Sequence, residues 1–315
     1  MTVAWVIGAN GLLGSALQRT LQLRGARLFM PSERFCWHDE EVLNSQLLSA
    51  VKKFAEFTSE CDNWQIYWAA GIGTMSSKEE ELATETRTLS ILLKFIGSES
   101  ALMAADGSFV FSSSAGAIYA GASDDIITEN TAVAPTTDYA KEKLKQENLV
   151  SEFTHKHDRV TSLLARISTL YGPGQADGKR QGLLAHIARC LLRNQSVHIY
   201  VPFDTVRDYI ATDDAAFAIV AATYALSGKP GAFTKIIASE HPTTIAEIIS
   251  VYKRITRRKP RIVSSASKLS SLYTRRIQFQ SITVPIKERI KKTSLLVGIS
   301  QMMDAERSAF TRNRS

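Results

Sequence analysis

The stretch Gly8-Ala9-Asn10-Gly11-Leu12-Leu13-Gly14 decides how this chain folds. It follows Thr2 to Ile7, a short β-rich apolar run, and leads into Leu12 to Leu23, where apolar residues recur at helical spacing. A glycine turn between a strand and a helix is where the diphosphate of a dinucleotide meets backbone N–H groups at a positive helix end. Glycines there let the backbone approach the phosphates and let the helix pack on the strand.

The glycine spacing in this turn is G-x-x-G-x-x-G, which differs from the G-x-G-x-x-G of the standard dinucleotide fingerprint. A glycine-rich turn without a ligand is therefore the alternative to a cofactor site. Under the cofactor hypothesis, the predicted contacts in the turn are Gly8, Asn10, Gly11, Leu12, Leu13 and Gly14.

Strand patterns alternate with helix patterns along most of the chain. Further strands are predicted at Ala26 to Met30, Gln65 to Ala70, Ser108 to Ser112, Arg159 to Ile167 and Phe233 to Ala238. Further helices are predicted at Glu79 to Ile96, Pro135 to Phe153, Gly182 to Leu192 and Asp213 to Leu226. This alternation indicates an α/β fold with a doubly wound parallel sheet of the Rossmann type.

The domain organisation follows from where the pattern loosens. We expect a dinucleotide-binding domain over residues 1–170 and a smaller, less regular substrate-binding part over 171–315, with the chain returning to the first domain near 207–238. The last fifty residues give no assignment, and Thr311 to Ser315 is predicted to be frayed.

Composition restricts the class of protein. With 315 residues, 44% hydrophobic and 22% charged, the chain should fold as a globule. Cys36, Cys61 and Cys190 form no pair of metal-site or disulfide-framework spacing, which fits a reducing compartment, and no metal is expected. No secretory signal is recognised, and the longest apolar run is shorter than the roughly 20 residues of a membrane span. We expect a cytoplasmic protein without a transmembrane segment.

Positive charge is concentrated at the C-terminal end. The formal net charge is +7, and residues 251–315 carry 16 Lys or Arg against three acids. This surplus is either a solvated surface, a site for the phosphates of a substrate, or a peripheral contact with an anionic membrane. No nucleic-acid motif accompanies it, so no nucleic-acid partner is expected.

The segment after the second predicted strand bears on the choice of cofactor. It reads Pro31-Ser32-Glu33-Arg34. Glu33 could hold the ribose hydroxyls of NAD, whereas Ser32 and Arg34 would suit the extra phosphate of NADP. Both cofactors remain open, the pattern favours NADP slightly, and an ordinary surface arginine is the alternative for Arg34.

Tyr139 and Lys143 form the candidate chemical pair. They lie four residues apart on a predicted helix, so their side chains share a face. A free phenol has a pKa near 10 and is a poor base at neutral pH unless a nearby cation stabilises the phenolate, which Lys143 can do. Upstream, Ser112-Ser113-Ser114 ends a predicted strand at the sheet edge where α/β proteins bind ligands. Ser114 could hydrogen-bond the reacting oxygen, while a turn or cap role is the alternative for each serine.

These motifs together resemble the extended short-chain dehydrogenase/reductases, the NAD-dependent epimerase/dehydratase family. Besides the glycine turn, Tyr139 and Lys143, the resemblance rests on four segments in the family's order: Trp68-Ala69-Ala70-Gly71, Phe109 to Ser114 with Ile118-Tyr119, Arg166 with Tyr171-Gly172-Pro173-Gly174, and Arg207-Asp208-Tyr209-Ile210. It covers residues 3 to about 240 and is weak beyond about 260.

The resemblance implies a role for each matching residue. Tyr139 would be the general acid/base, Lys143 its partner and a ligand of the cofactor ribose, and Ser114 the donor to the substrate oxygen. Further cofactor contacts are implied at Ala69, Ala70, Gly71, Ser112 and Arg166, and substrate contacts at Ser113, Thr169 and Arg207. Relatives act mostly on nucleotide sugars and often pair as homodimers, so both are expected here.

Two departures refine the expected activity. Ala115-Gly116-Ala117 follows the serines where similar 4,6-dehydratases carry an Asp-Glu pair, which disfavours dehydration, and Thr169 stands where many relatives carry Asn. The pattern favours a nucleotide-sugar epimerase that passes through a keto intermediate. An NADPH-dependent ketoreductase of a nucleotide-linked keto sugar is the alternative, and a non-catalytic dinucleotide-binding regulator is the third hypothesis.

Overall fold

The structure is a computed structural model. It describes residues 2–61, 63–71, 73–74, 77–174, 182–264, 276–286, 288 and 292–312.

A six-stranded parallel sheet forms the centre of the protein, with the strand order β2-β1-β3-β4-β5-β9. Its strands are β1 (Thr2–Ile7), β2 (Arg27–Phe29), β3 (Asn63–Trp68), β4 (Asp106–Ser114), β5 (Val160–Ile167) and β9 (Gly231–Ile237). The central strands are buried almost throughout because helices cover both faces, and this is why their sequences are mostly apolar and do not alternate between apolar and polar residues.

Ten helices accompany the sheet in the described part of the chain. They are α1 (Leu12–Leu23), α2 (Glu40–Thr58), α3 (Glu79–Ser98), α4 (Ser100–Ala104), α5 (Ala115–Ile118), α6 (Asp138–His155), α7 (Leu183–Leu192), α8 (Thr212–Leu226), α9 (Ile245–Thr256) and α10 (Leu295–Arg312). Helices α1 and α8 share one apolar core with the sheet, while α2, α3 and α6 share the core on the other face. No helix of the described residues is long and apolar enough to cross a membrane.

The glycine turn brings three pieces of backbone into close contact. Gly8 has a φ of +89°, and a Cβ there would lie 2.6 Å from the backbone of Ala69 and Ala70 at the end of β3. A Cβ on Gly14 would lie 2.1 Å from the Gly8 carbonyl oxygen. Only glycine fits at either position, and α1 can therefore start directly against the ends of β1 and β3.

The rest of the chain builds a second unit with its own core. It contains a three-stranded sheet of β6 (Thr169–Tyr171), β8 (Val206–Ala211) and β10 (Pro242–Thr244), and a two-stranded sheet of β7 (Val197–Ile199) and β11 (Ile262–Ser264). Helices α7, α9 and α10 pack together in this core. Asp208, which is buried, accepts hydrogen bonds from the hydroxyls of Ser168 (2.5 Å) and Ser239 (2.8 Å), and so ties β8 to the ends of β5 and β9.

The predicted fold class is confirmed, and the first strand and first helix have the predicted bounds. The helix expected from Pro135 begins instead at Asp138, because the Thr137 hydroxyl accepts the Ala140 N–H and caps it. The predicted fraying covers Thr311 and Arg312, which lie in α10, and residues 313–315, which lie outside the described residues.

Five helices were absent from the sequence-based prediction: the short helices α4 and α5 and the longer helices α2, α9 and α10. Helix α2 carried a usable signal, since Asp39 caps it and Leu43, Leu47, Val51 and Phe54 recur at helical spacing on its buried face. Helix α10 gave little signal in the sequence. Its buried residues include Gly298 and Met302, and they are buried because other elements of the second core pack against them.

We predict that Gly14→Ala destabilises the protein by about 3 kcal/mol, because the added methyl group meets backbone that cannot move aside. Urea unfolding followed by tryptophan fluorescence measures this difference. Gly116→Ala is the matched control, since a Cβ at Gly116 meets nothing within 4 Å and alanine favours the helix. Equal midpoints for the two variants would contradict the packing of the turn.

Candidate active site

The N-terminus of α1 faces the turn without a capping side chain. Gly11 is the N-cap residue, makes no side-chain cap, and is followed by a first turn without acidic residues. Gly11 and Asn10 are exposed, whereas Leu13 and Gly14 are buried against the strand. Backbone N–H groups at an uncapped helix start are a suitable site for an anionic diphosphate.

The segment after β3 lies beside this turn. The Ala69 N–H donates to the Ile7 carbonyl at 2.8 Å, which extends the pairing of β1 and β3 to the turn. Ala69 and Ala70 are partly buried, and Gly71 is exposed with a φ of +152°. The structure therefore brings the two predicted groups of cofactor residues together at one end of the sheet.

Tyr139, Lys143 and Ser114 meet at the C-terminal end of β4. The Ser114 hydroxyl lies close enough to the Tyr139 phenol to affect its pKa. The Lys143 ammonium nitrogen lies 5.8 Å from the centre of the Tyr139 ring and 5.1 Å from the centre of the Phe111 ring. It donates to the Gln146 amide oxygen at 2.9 Å, which fixes its position. The predicted chemical group is thus assembled in the structure.

Burial dominates the electrostatics of this group. Burial, with the negative charge of Glu85, raises the pKa of Tyr139 to about 12, while the nearby Ser114 hydroxyl acts in the opposite direction. Burial lowers the pKa of Lys143, and the charges of Glu85 and Glu147 oppose this effect. Burial therefore favours the protonated phenol at neutral pH, and Tyr139 can accept a proton only where a positive charge stabilises its phenolate.

Glu85 is a component of the site that the sequence did not reveal. Its carboxylate oxygen Oε1 accepts the Gly73 N–H at 2.6 Å, so α3 is linked to the segment after β3. Its charge also acts on both Tyr139 and Lys143. Helix α3 carries several glutamates, and no sequence pattern distinguished this one from the exposed ones in its first turn.

Glu147 is a second component that sequence reasoning missed. It accepts a hydrogen bond from Ser113 at 2.6 Å and two from Arg166, from Nε at 3.0 Å and Nη2 at 2.7 Å. Arg166 also donates to the Tyr119 hydroxyl at 2.5 Å. Burial alone would lower the pKa of Arg166, but its bonds with Glu147 and Tyr119 outweigh this and raise it. The spacing Tyr139, Lys143, Glu147 at four-residue intervals was the available signal.

The remaining predicted site residues lie around this centre. Ser32 and Arg34 are exposed in the loop after β2, where Lys53 donates to the Ser32 hydroxyl at 3.2 Å and Gln46 to the Arg34 carbonyl at 3.2 Å. Ser112 is partly buried in β4.

Both predicted substrate residues outside β4 lie in the three-stranded sheet, Thr169 in β6 and Arg207 in β8. One guanidinium nitrogen of Arg207 donates to the Val206 carbonyl at 2.8 Å. The individual roles of the predicted site residues stay predictions. Over the described ranges, no cluster of three or more His, Cys, Asp or Glu side chains could hold a metal ion.

A glycine turn at a helix start, facing a Tyr-Lys-Ser group across one end of a parallel sheet, defines a class of dinucleotide-dependent α/β enzymes. A model of the family described as "NAD dependent epimerase/dehydratase family" matches residues 4–233. The chain belongs to this family. The predicted family, the enzyme class and a nicotinamide dinucleotide as cofactor are thereby confirmed.

Individual relatives are more distant. Over 125 residues the chain is 29% identical to a dTDP-L-rhamnose 4-epimerase of Burkholderia thailandensis, and the match covers 39% of this chain and 33% of that protein. The match thus spans only about a third of the relative's length.

Among solved structures, MoeE5 in complex with UDP-glucuronic acid and NAD superposes with a TM-score of 0.78 at 19% identity, covering 98% of this chain and 100% of that one. The UDP-glucose 4-epimerase of Thermotoga maritima, solved with UDP-glucose, gives a TM-score of 0.75 at 21% identity over the same shares of the two chains. At these identities the likeness shows the fold.

We predict that Glu147→Gln costs about 3 to 5 kcal/mol of unfolding free energy, because it leaves the buried Arg166 guanidinium without a charged partner. The midpoint and slope of urea unfolding measure this cost. In the matched control, Asp106→Asn breaks the exposed pair with Arg159 and should cost about 1 kcal/mol or less. A Glu147 variant as stable as the Asp106 variant would show that the network does not stabilise the fold.

Proposed function

We propose that the protein is an NAD-dependent epimerase of nucleotide sugars that inverts the C4 hydroxyl of a hexose. The observation that carries this proposal is the grouping of Tyr139, Ser114 and Lys143 at the sheet edge that also presents the glycine turn. Family membership supports it, as do the two 4-epimerases among the similar proteins.

Tyr139 is the residue that moves the proton in this mechanism. It removes the proton of the substrate hydroxyl as the carbon is oxidised. After the keto sugar has turned over, it returns the proton to the same oxygen as the carbon is reduced by hydride from its other face. Ser114 bonds the same oxygen and keeps it within reach of the phenol. Lys143 holds the positive charge that stabilises the phenolate, and Gln146 keeps that charge in place.

The residues present fit a dinucleotide. The uncapped start of α1 and the close-packed glycines Gly8 and Gly14 would hold the diphosphate, and Lys143 the nicotinamide ribose. Glu33, exposed after β2, would take the ribose hydroxyls of the adenosine half. When bound, the oxidised nicotinamide supplies a reversible hydride acceptor and a positive charge that favours the phenolate. We choose NAD over NADP because the family description names NAD.

The second unit supplies the substrate contacts in this proposal. Thr169 and Arg207 lie on neighbouring strands, and Arg207 would bind the sugar nucleotide's diphosphate. The exposed cations of the C-terminal part would add attraction for that anion. A homodimer, a cytoplasmic location and a peripheral membrane contact stay predictions.

An epimerase returns its cofactor to the starting state in each turnover and has no need to release it. We predict that freshly purified protein, once denatured, releases close to one NAD or NADH per chain, measured by mass spectrometry of the small molecules. A ketoreductase uses the same side chains but exchanges its cofactor every turnover. Protein that is isolated empty and binds NADPH selectively would favour that alternative, and protein that binds neither dinucleotide would refute the proposal.

We predict that Tyr139→Phe lowers turnover by about a hundredfold to ten-thousandfold, because the variant lacks the group that moves the proton. Interconversion of UDP-glucose and UDP-galactose, and of the corresponding dTDP sugars, followed by chromatography, measures this loss. The variant should still retain its cofactor. Full activity in the variant would remove Tyr139 from the mechanism.

Glu85→Gln tests how the negative charge of Glu85 acts on the pKa of Tyr139. It keeps an oxygen that can accept the Gly73 N–H, but it removes a negative charge that raises the pKa of Tyr139. Activity rises with pH as the Tyr139 phenol ionises. In the variant, which keeps Tyr139, this rise in the pH–rate profile should therefore occur at lower pH. A limb that moved to higher pH would contradict the proposed charge arrangement.

A further inference from the structure

Lys143 is the first member of a chain of hydrogen bonds that runs away from the candidate site. Its ammonium nitrogen donates to the Gln146 amide oxygen at 2.9 Å, and the Gln146 amide nitrogen donates to the Thr86 hydroxyl of α3 at 3.0 Å. The Thr86 hydroxyl donates to the Glu142 carboxylate at 2.7 Å, and Glu142 also accepts a hydrogen bond from Lys145 at 2.5 Å. The chain therefore links the ammonium group to an acid on the same helix through a residue of a second helix.

Most of this chain is buried. Lys143 and Glu142 are each 6% exposed and Gln146 is 2% exposed, whereas the side chain of Lys145 is 63% exposed. A buried polar group that loses its partner is costly, because water cannot replace that partner. The hydrogen bonds of the buried members are therefore decided by the protein groups around them.

The direction of the chain follows from what each group can donate. An ionised carboxylate only accepts hydrogen bonds, whereas a hydroxyl both donates and accepts. Burial alone would raise the pKa of Glu142, but its bonds with Lys145 and Thr86 outweigh this effect and lower it, so the carboxylate is ionised at neutral pH. The other group near the Thr86 hydroxyl oxygen is the Leu82 carbonyl at 3.2 Å, which also only accepts. Either acceptor takes the single hydrogen of the hydroxyl, and Thr86 can then meet Gln146 only as an acceptor.

This direction determines which end of the Gln146 amide faces Lys143. An ammonium group only donates, so an amide turned with its NH₂ group toward Lys143 would bring donors against donors. Because the Thr86 oxygen accepts from the amide nitrogen, the amide oxygen is the end that remains for Lys143. The ammonium group uses one N–H on Gln146 and keeps two for the ribose of the cofactor.

We infer that Thr86 is a positioning residue of the active site, which together with Glu142 fixes the orientation of the Gln146 amide and thereby the place of the Lys143 ammonium. Thr86 acts through Gln146 and not on the reacting atoms. The inference rests on the proposed function, in which Lys143 binds the nicotinamide ribose and stabilises the Tyr139 phenolate.

Thr86→Val keeps the shape of the side chain and removes its hydroxyl. In protein stripped of nucleotide with charcoal, the variant should bind NAD about threefold to thirtyfold more weakly but ADP as the wild type does, because ADP lacks the ribose that Lys143 would hold. Thr86→Ser brings the hydroxyl back and should restore the affinity for NAD. Isothermal titration calorimetry measures these constants. The matched control is Thr88→Val, which removes a buried hydroxyl that donates to the Thr84 carbonyl of the same helix at 2.9 Å and should change neither affinity.

The pH–rate profile gives a readout that a purely structural role of Thr86 would leave unchanged. A displaced Lys143 stabilises the Tyr139 phenolate less, so the pKa of the phenol increases. The rise of activity with pH should therefore occur at higher pH in Thr86→Val, opposite to the change expected for Glu85→Gln. Glu85 and Glu147, whose charges also act on Lys143, are retained in Thr86→Val.

Gln146→Leu tests the chain at its next member. It removes the amide through which Thr86 acts, so by itself it should show the same selective loss of NAD affinity, even if Thr86→Val fails to fold. Adding Thr86→Val to Gln146→Leu should then weaken NAD binding no further.

Three results would overturn the positioning role while the proposed function stands. They are a Thr86→Val protein that matches Thr88→Val in NAD affinity and pH profile, a Gln146→Leu protein with unchanged NAD affinity, and additive losses in the double variant. Wild-type protein that binds no NAD would instead refute the proposed function, and the inference with it.

Discussion

The close approach of the backbone at Gly8 to the end of β3 is the constraint on which the rest of the structure depends. Side chains are excluded at Gly8 and Gly14, so the first helix can begin directly at the edge of the sheet with its N-terminal N–H groups uncovered. The same contact places the segment after β3 beside the turn. One steric requirement therefore produces both the packing of the first unit and an uncapped helix start that is a candidate anion site.

Helix α6 connects that edge to a buried ion pair. Tyr139, Lys143 and Glu147 are spaced by four residues and share one face of the helix, but their roles differ. Glu147 binds Arg166 on β5 and Ser113 on β4, which fixes the helix against the sheet. The candidate ammonium and phenol, which lie one and two turns away from Glu147, are then held in place by contacts that take no part in proton transfer. Two predicted ligand contacts, Ser113 and Arg166, belong to this supporting network in the structure.

The two units of the chain differ in how closely they follow the family. The family match ends at residue 233, whereas α9, α10 and β11 follow that residue and pack with α7 and β7 in the second core. Asp208 joins the units by bonding side chains at the ends of two strands of the main sheet. The chain thus combines a dinucleotide-binding unit that is typical of the family with a second unit that ends in a segment rich in Lys and Arg.

The sequence alone determined the fold class and the first strand, turn and helix, and it predicted Tyr139 and Lys143 as the candidate chemical pair. These features are local: glycine spacing, apolar periodicity and an i, i+4 relation are all readable along the chain. Only the tertiary structure decided that Glu85 and Glu147 lie beside the candidate site and that Trp37 is the exposed tryptophan. These residues lie on α3, on α6 and in the loop after β2, and each contacts a residue of the main sheet, or of the segment after β3, that is distant in sequence. Contacts of that kind depend on strand order and burial, which composition and spacing do not specify.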